Sequence, residues 1–264
     1  MAHRNALKIA VVLLCAAVAG CATGVRGVPP GTVRPDQYLF ERGNEALAAR
    51  KWLVARDFFR QLNETYIQSP LRPDAKLAIG DTYVGEGSTQ ALVLAINEFS
   101  EFLSYYPTSP RADYAQYKLG MCHFRQMRSP ERDQTETREA IREFEAFLTR
   151  YPSSALLSEV NARLRESRDR LGESDLRVGV FYYRIRWYPG AAERLSTLLK
   201  QDPQFTNRDG AYFYLAESLL KLRRNAEALP YFERIVVEFE QSEYLDEARE
   251  RIAELKAQVQ AKES

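Results

Sequence analysis

Apolar residues recur along this chain with the spacing of amphipathic helices, in a pattern that returns five times. Each copy has an alanine, then an aromatic residue or leucine four positions later, then an apolar residue three positions beyond that. Offsets of four and seven place these side chains on one helical face. The pattern therefore predicts five helices that bury one face, with copies that begin at Ala55, Ala95, Ala140, Ala191 and Ala228.

A second predicted helix precedes each of these and carries a small residue where two helices must approach closely. The small residues are Gly43, Gly80, Gly120, Gly179 and Ala216. In the first, fourth and fifth copies the small residue lies 12 positions before the alanine, which is the spacing of a tetratricopeptide (TPR) hairpin of about 34 residues. Because such hairpins bury their faces only against their neighbours, we predict an all-α TPR solenoid of about five helical hairpins.

Departures from this period predict irregular connections. The third copy has eight extra residues; the polar segment 128–135 accounts for them, and Asp133 with Glu136 is placed to cap the next helix. A surplus of 14 residues follows the third copy, with Leu, Val or Ile at every seventh position. This surplus predicts one long connecting helix over about 155–187, with Gly172 as a kink site. The segment 242–260, rich in charged residues and alanine, predicts a capping helix.

The N-terminal segment has the features of a secretory signal peptide. Basic residues near the start precede an apolar stretch of 11 residues that ends in small residues, and this stretch is too short to span a membrane. Cys21 follows directly, and its surroundings resemble the lipobox of bacterial lipoproteins. We therefore expect cleavage of residues 1–20 and a covalent lipid on Cys21, with no other cofactor. Residues 21–35, punctuated by glycine and proline, predict a flexible tether between the lipid and the fold.

Charge balance and the scarcity of reactive residues argue against several function classes. Without residues 1–20, the chain keeps 35 of its 37 Lys and Arg residues against 36 Asp and Glu, so no polybasic field points to nucleic acid. The same part of the chain has one histidine, His123, beside Cys122, and adjacent helical residues point to different sides. Cys-x-x-Cys and His-x-x-x-His spacings are absent from the sequence. We therefore predict no catalytic or metal site and a protein that is not an enzyme.

The remaining candidate site is the concave face, which the first helix of each TPR hairpin lines. Its positions lie three before, one after and four after the small residue. In the first three hairpins these are Phe40, Asn44, Leu47, Leu77, Asp81, Val84, Tyr117, Met121 and Phe124. Such an apolar face would suit an extended peptide with bulky apolar side chains. The alternative, that these side chains pack between helices, stays open at this point.

Four features of the chain resemble the BamD (ComL) family of β-barrel assembly lipoproteins. The first is the lipobox cysteine with its Gly/Pro tether. The second is Ala95-Ile96-Asn97-Glu98-Phe99 and Ala140-Ile141-Arg142-Glu143-Phe144, each followed by Tyr-Pro. The third is the insertion with Arg132-Asp133-Gln134-Thr135. The fourth is the long helix that leads into Val180-Phe181-Tyr182-Tyr183.

This resemblance implies a periplasm-facing outer-membrane lipoprotein, a localisation that Ala22 after the cysteine also favours. Hairpins in residues 36–154 would receive unfolded outer-membrane protein clients. The long helix and hairpins in residues 155–264 would dock the periplasmic domains of the barrel-forming subunit, BamA, beside other assembly lipoproteins. The alternative is a TPR lipoprotein adaptor for a secretin, a pilus or a cell-wall coordination complex.

Overall fold

The computed structural model describes residues 27–263, which form two compact units, residues 27–86 and 87–263. Within this described range the secondary structure consists of eleven α-helices, with no strand. The first unit contains α1 (Pro35–Ala48), α2 (Trp52–Thr65) and α3 (Arg72–Glu86). The second contains α4 (Thr89–Tyr105), α5 (Ala112–Phe124), α6 (Thr135–Arg150), α7 (Leu157–Arg184), α8 (Tyr188–Gln201), α9 (Arg208–Lys221), α10 (Asn225–Glu238) and α11 (Leu245–Glu263).

The first unit is a helical hairpin, α1–α2, with α3 packed against it. Gly43 on α1 lies against the Phe59 ring of α2, where a Cβ atom would come within 2.5 Å of the ring. The small residue of the repeat is therefore required by close approach of the two helices. Between α2 and α3 the contact is partly polar, because the buried Arg56 guanidinium donates to the Thr82 hydroxyl at 3.0 Å and to the Glu86 carboxylate at 2.8 Å.

The second unit continues the pattern through the hairpins α5–α6, α7–α8 and α9–α10, with α4 before them and α11 after them. Its repeat residues form the core and are at most 2% exposed: Ala95, Phe99, Phe102, Ala140, Phe144, Phe147, Ala191, Leu195, Leu198, Ala228, Phe232 and Ile235. The last helix, α11, buries Ala248 and Leu255 against the hairpin before it, as expected of the predicted capping helix. The predicted all-α TPR fold class is confirmed.

The predicted long helix is confirmed as α7, which runs for 28 residues. At Gly172, in its centre, the helix accommodates the fully buried ring of Phe205, and a Cβ atom there would lie 2.6 Å from that ring. A kink at this glycine stays a prediction. The apolar residues at every seventh position do not all lie on the buried face: toward the end of α7, Gly172, Leu176 and Gly179 are buried, whereas Ile185 is 54% exposed. A straight α-helix drifts away from a seven-residue period, so its buried face changes along its length.

The insertion before α6 is an ordered loop, and its capping differs from the prediction. Gln134 is 4% exposed and donates to the carbonyl oxygens of Ser129 and Arg132, at 2.8 and 2.9 Å. Asp133 precedes the helix cap and accepts the N–H of Thr135 at 3.0 Å, while no side chain caps the helix itself. The predicted capping pair is therefore wrong, because the partner carboxylate of Glu136 is taken by a histidine instead.

The chain divides into its two compact units between Glu86 and Gly87, whereas the sequence predicted a grouping of the hairpins into residues 36–154 and 155–264. That grouping stays a prediction about how the repeats are used. The signal peptide at 1–20, Cys21 and the first part of the tether lie outside the described residues.

Candidate protein-binding surfaces

The three predicted groove positions on α1 differ in accessibility. Phe40 is half-buried, and its ring meets Phe59 edge-on with the centroids 5.8 Å apart. Asn44 is exposed, and Leu47 is half-buried. A partner could therefore reach Asn44 fully and the other two side chains in part.

On α3 one groove assignment is wrong. Leu77 is 1% exposed and belongs to the core. Its neighbours Ala75, Ala78 and Ile79 are buried as well, so α3 is covered on more than one face and its groove position is not at the surface. The other two α3 positions, Asp81 and Val84, are half-buried.

On α5 the structure brings the three predicted residues together. Tyr117, Met121 and Phe124 pack against the apolar cluster that joins α6 to α7. The Phe124 ring meets Phe144 edge-on at 6.3 Å, and the Arg163 guanidinium of α7 lies 5.3 Å from the Phe124 centroid. Burial raises the pKa of the Tyr117 hydroxyl. These three side chains are half-buried. They pack between helices, as one alternative proposed, and part of each side chain also stays accessible, as the groove assignment proposed.

A buried carboxylate that no sequence pattern indicated links three helices of the second unit. Glu217 on α9 is 3% exposed; it accepts from Arg251 Nε of α11 at 2.7 Å and from the Tyr183 hydroxyl of α7 at 3.1 Å. Burial and the adjacent Glu217 charge raise the pKa of Tyr183. The hydrogen bond to Glu217 likewise raises the pKa of Arg251. This network keeps a charge paired inside the repeat stack, as a buried charge requires.

Serine–aspartate hydrogen bonds, which no local sequence pattern predicts, recur between successive repeats. In each, a serine before one helix donates to an aspartate at the start of the previous first helix. The pairs are Ser69 with Asp36 at 2.8 Å, Ser154 with Asp113 at 2.6 Å, and Ser242 with Asp209 at 2.6 Å. The same serine oxygens accept the backbone N–H two residues later. The Ser69 hydroxyl holds the pKa of Asp36 below its ordinary value.

The end of α7 and the turn that follows it carry large apolar side chains on the surface. Phe181, Ile185 and Trp187 are 56%, 54% and 51% exposed. Tyr182 supports the indole of Trp187 edge-on, with ring centroids 4.5 Å apart. Single exposed apolar residues are ordinary, but several together mark a candidate interaction surface.

The reactive side chains of the described residues are committed to structural contacts. Cys122 is fully buried. His123 Nδ1 lies 2.8 Å from Glu136 Oε2 and so joins α5 to α6. The residues described by the structure contain no cluster of His, Cys, Asp and Glu suited to a metal ion. Between residues 27 and 263, no helix combines the length and apolar character that a membrane crossing needs.

Comparison with known proteins finds a matching family model and several relatives of this chain. A family model described as "YfiO: Outer membrane lipoprotein" matches residues 33–228. An outer membrane protein assembly factor BamD from Caulobacter vibrioides is 28% identical over 229 residues, covering 85% of this chain and 73% of that protein. The BamD of Vibrio cholerae is 26% identical over 194 residues, covering 70% and 78%. Among solved structures, the TPR2AB-domain:pHSP90 complex of yeast Sti1 is similar at 14% identity and a TM-score of 0.48, covering 85% and 84%.

Proposed function

Because this chain belongs to the YfiO family of outer membrane lipoproteins, we propose that it is a scaffold for the assembly of outer-membrane β-barrel proteins. The observation that carries this proposal is that relatives named as assembly factors match most of its length. A scaffold needs surfaces rather than a reaction centre, which agrees with TPR hairpins that keep apolar side chains partly exposed. The protein then works by binding and performs no catalytic step.

The proposed partners follow the same family. The C-terminal hairpins would dock the periplasmic domains of the barrel-forming subunit BamA, together with other assembly lipoproteins. The half-buried apolar residues on α1 and α5 would contact unfolded outer-membrane protein clients. A lipid on Cys21 would hold the chain on the periplasmic face of the outer membrane, and no further cofactor is needed.

Purification of the native complex tests the scaffold role. A C-terminally tagged chain, expressed in its own bacterium and extracted in mild detergent, should recover the barrel-forming assembly subunit at a fixed ratio. The untagged strain is the control. Recovery of a pilus secretin in place of that subunit would contradict the proposal and favour the adaptor alternative.

The anchor is tested with two cysteine variants. Cys21→Ala should move the protein from the outer-membrane fraction to the soluble periplasmic fraction and remove the mass of the lipid. Cys15→Ala, a change inside the predicted signal peptide, is the matched control and should leave the mature protein lipidated. Membrane retention of Cys21→Ala would refute the lipid anchor.

Client binding is tested on α5. Met121→Glu should weaken binding of a peptide that ends in an aromatic residue, since a charge would sit where apolar surface remains. Val93→Glu places the same charge on an apolar α4 residue that is 48% exposed and outside the predicted groove. Equal affinities of the two variants, with unchanged circular dichroism and melting, would remove the client-binding assignment.

A further inference from the structure

The start of α2, just after the turn that joins it to α1, carries an apolar patch. Leu53 is 68% exposed and Val54 is 38% exposed. Trp52, beside them, is half-buried. Its indole lies against Gly85 of α3, where a Cβ atom would come within 2.7 Å of the ring. The end of α3 therefore supports an aromatic ring next to two exposed aliphatic side chains.

A shallow cavity adjoins this patch. It is open to solvent, has a volume of about 410 Å³, and is lined by Lys51, Trp52, Leu53, Val54 and Glu86. The Glu86 carboxylate accepts from the Arg56 guanidinium at 2.8 Å, so its charge is neutralised. Apart from that pair, the lining is apolar except for Lys51.

The charged residues of the turn itself are cations. Arg50 and Lys51 are both exposed, and neither forms an ion pair within the described residues. The first carboxylate of α2, that of Asp57, comes four residues after Leu53, which places it about 6 Å farther along the helix axis. Exposed apolar side chains beside unpaired cations are typical of a surface that binds an anionic membrane.

Two hydrogen bonds fix the backbone of this turn. The Lys51 N–H donates to the Ala46 carbonyl at 2.9 Å, and the Arg50 N–H donates to the Leu47 carbonyl at 3.0 Å. They form the Schellman motif that closes a helix, in which glycine is usual at the position of Arg50. Arg50 has φ 56°, a strained conformation for an L-residue, and Arg223 has φ 60° at the same position in a later turn. The two cations are therefore presented from a fixed backbone.

The length of the predicted tether allows this turn to reach the membrane that would hold the lipid. Fourteen residues, 21–34, precede α1, and a chain of that length reaches at most about 45 Å. The 14 residues of α1 give it a length of about 21 Å, so the turn lies about that far from the end of the tether. Because the reach exceeds this distance, the lipid and the turn can contact the same bilayer.

We propose that residues 50–54 form a second membrane contact, which docks the first unit on a bilayer that contains anionic phospholipids. Leu53 and Val54 enter the bilayer interface, and the Trp52 indole lies at the level of the headgroups, where indoles are favoured. Arg50 and Lys51 bind lipid phosphates. The contact orients the first hairpin on the membrane, which a lipid on a tether alone does not do.

The inference rests on the lipid anchor of the proposed function. An anchored chain keeps the patch close to the bilayer, so a contact that is weak in solution becomes effectively intramolecular. Without the lipid on Cys21, the five residues are too few for stable attachment, in agreement with the release expected of Cys21→Ala.

The test is tryptophan fluorescence of the full-length lipidated chain reconstituted in vesicles of phosphatidylethanolamine and phosphatidylglycerol. Bromine on the acyl chains serves as a short-range quencher. The sequence has two tryptophans, so Trp187→Phe leaves Trp52 as the only indole, and Trp52→Phe leaves Trp187. The brominated lipid should lower the Trp52 emission at least twofold and the Trp187 emission much less, although Trp187 is 51% exposed.

Matched variants in the Trp187→Phe background test the patch, each checked for folding by circular dichroism. Leu53→Glu should remove at least half of the quenching of Trp52. Ile67→Glu is the control and should leave it unchanged, because Ile67 is 64% exposed in the same unit but lies beyond the opposite end of α2. Replacing phosphatidylglycerol with zwitterionic phosphatidylcholine should also lower the quenching, since each cation near an anionic surface strengthens attachment about fivefold.

Four results would overturn the inference. Equal quenching of the two tryptophans, or equal effects of Leu53→Glu and Ile67→Glu, would indicate general proximity to the bilayer instead of a contact at this patch. Flotation of the chain with the vesicles without quenching of Trp52 removes the patch and leaves the lipid anchor and the scaffold role intact. A mass without lipid on Cys21 removes the anchor and this inference with it. Self-association in detergent that is lost in Leu53→Glu would assign the patch to a second copy.

Discussion

The substitution Gly172→Ala, at the centre of α7, should change the free energy of unfolding through two opposing effects. Replacing an interior helical glycine with alanine favours the helix by about 1 kcal/mol. The added Cβ, however, would lie 2.6 Å from Cδ2 and 2.8 Å from Cε2 of Phe205, a ring that is 0% exposed. To reach ordinary contact the ring or the helix must move by nearly 1 Å in a filled core, at about 1–3 kcal/mol. We therefore expect a net destabilisation of about 1 kcal/mol.

Urea unfolding followed by far-UV circular dichroism measures this change, and Gly210→Ala is the matched control. A Cβ on Gly210 would meet its nearest atom at 3.5 Å, which is ordinary contact, so that variant should be neutral or more stable. Phe205→Leu in the Gly172→Ala background should recover part of the loss, which gives a double-mutant coupling between the two positions. If Gly172→Ala were as stable as Gly210→Ala, the close approach of α7 to Phe205 would not be what requires glycine there.

Three further predictions concern polar contacts and backbone strain. Arg251→Met leaves the Glu217 carboxylate buried without its cation and should lower the free energy of unfolding by about 2–3 kcal/mol; a loss under about 0.5 kcal/mol in urea titration would contradict this. Ser69→Ala removes the hydroxyl that lowers the pKa of Asp36, and the stability that this lowered pKa contributes is present above the unfolded pKa and lost as the pH falls through the folded pKa. The difference in unfolding free energy between the two proteins should therefore shrink below pH 3.8 to the part that comes from the Leu71 N–H bond to Ser69, and a difference that grows in acid would contradict this. Arg223→Gly relieves a positive φ and should raise stability by about 0.5–1 kcal/mol, so a fall in melting temperature would count against the strain argument.

The helices could be predicted from the sequence because the information lies within each repeat. An alanine such as Ala140 and the phenylalanines four and seven positions later identify a buried face without reference to any other part of the chain. The small residue of each hairpin has the same local basis. The long helix could also be predicted, because 14 extra residues with apolar periodicity and no proline favour a continuous helix over a loop.

The predictions failed where the answer depended on a distant partner. The seven-residue spacing predicted the long helix but not its buried face, because burial near the end of α7 is set by α8 and by Phe205, which lies 33 positions after Gly172. Leu77 was predicted to line the groove but is buried. Its position in the repeat shows which side of the helix it lies on, whereas the surrounding helices determine whether that side is exposed. Half-buried residues such as Phe124 show that core and surface are not exclusive in a repeat protein.

The serine–aspartate contacts could be predicted from the sequence only by aligning the repeats with one another. Each serine lies three positions after the residue that closes the second helix, as Ser154 does after Tyr151 and Ser242 after Phe239. Its aspartate lies near the start of the previous first helix, so the separation is 33 or 41 residues and no local window contains both. The pairing emerges only when the copies are aligned and the polar positions are compared as the apolar ones were. Because a neighbouring repeat supplies one half of each bond, polar periodicity of this type reports how hairpins are joined, whereas apolar periodicity reports how each hairpin is built.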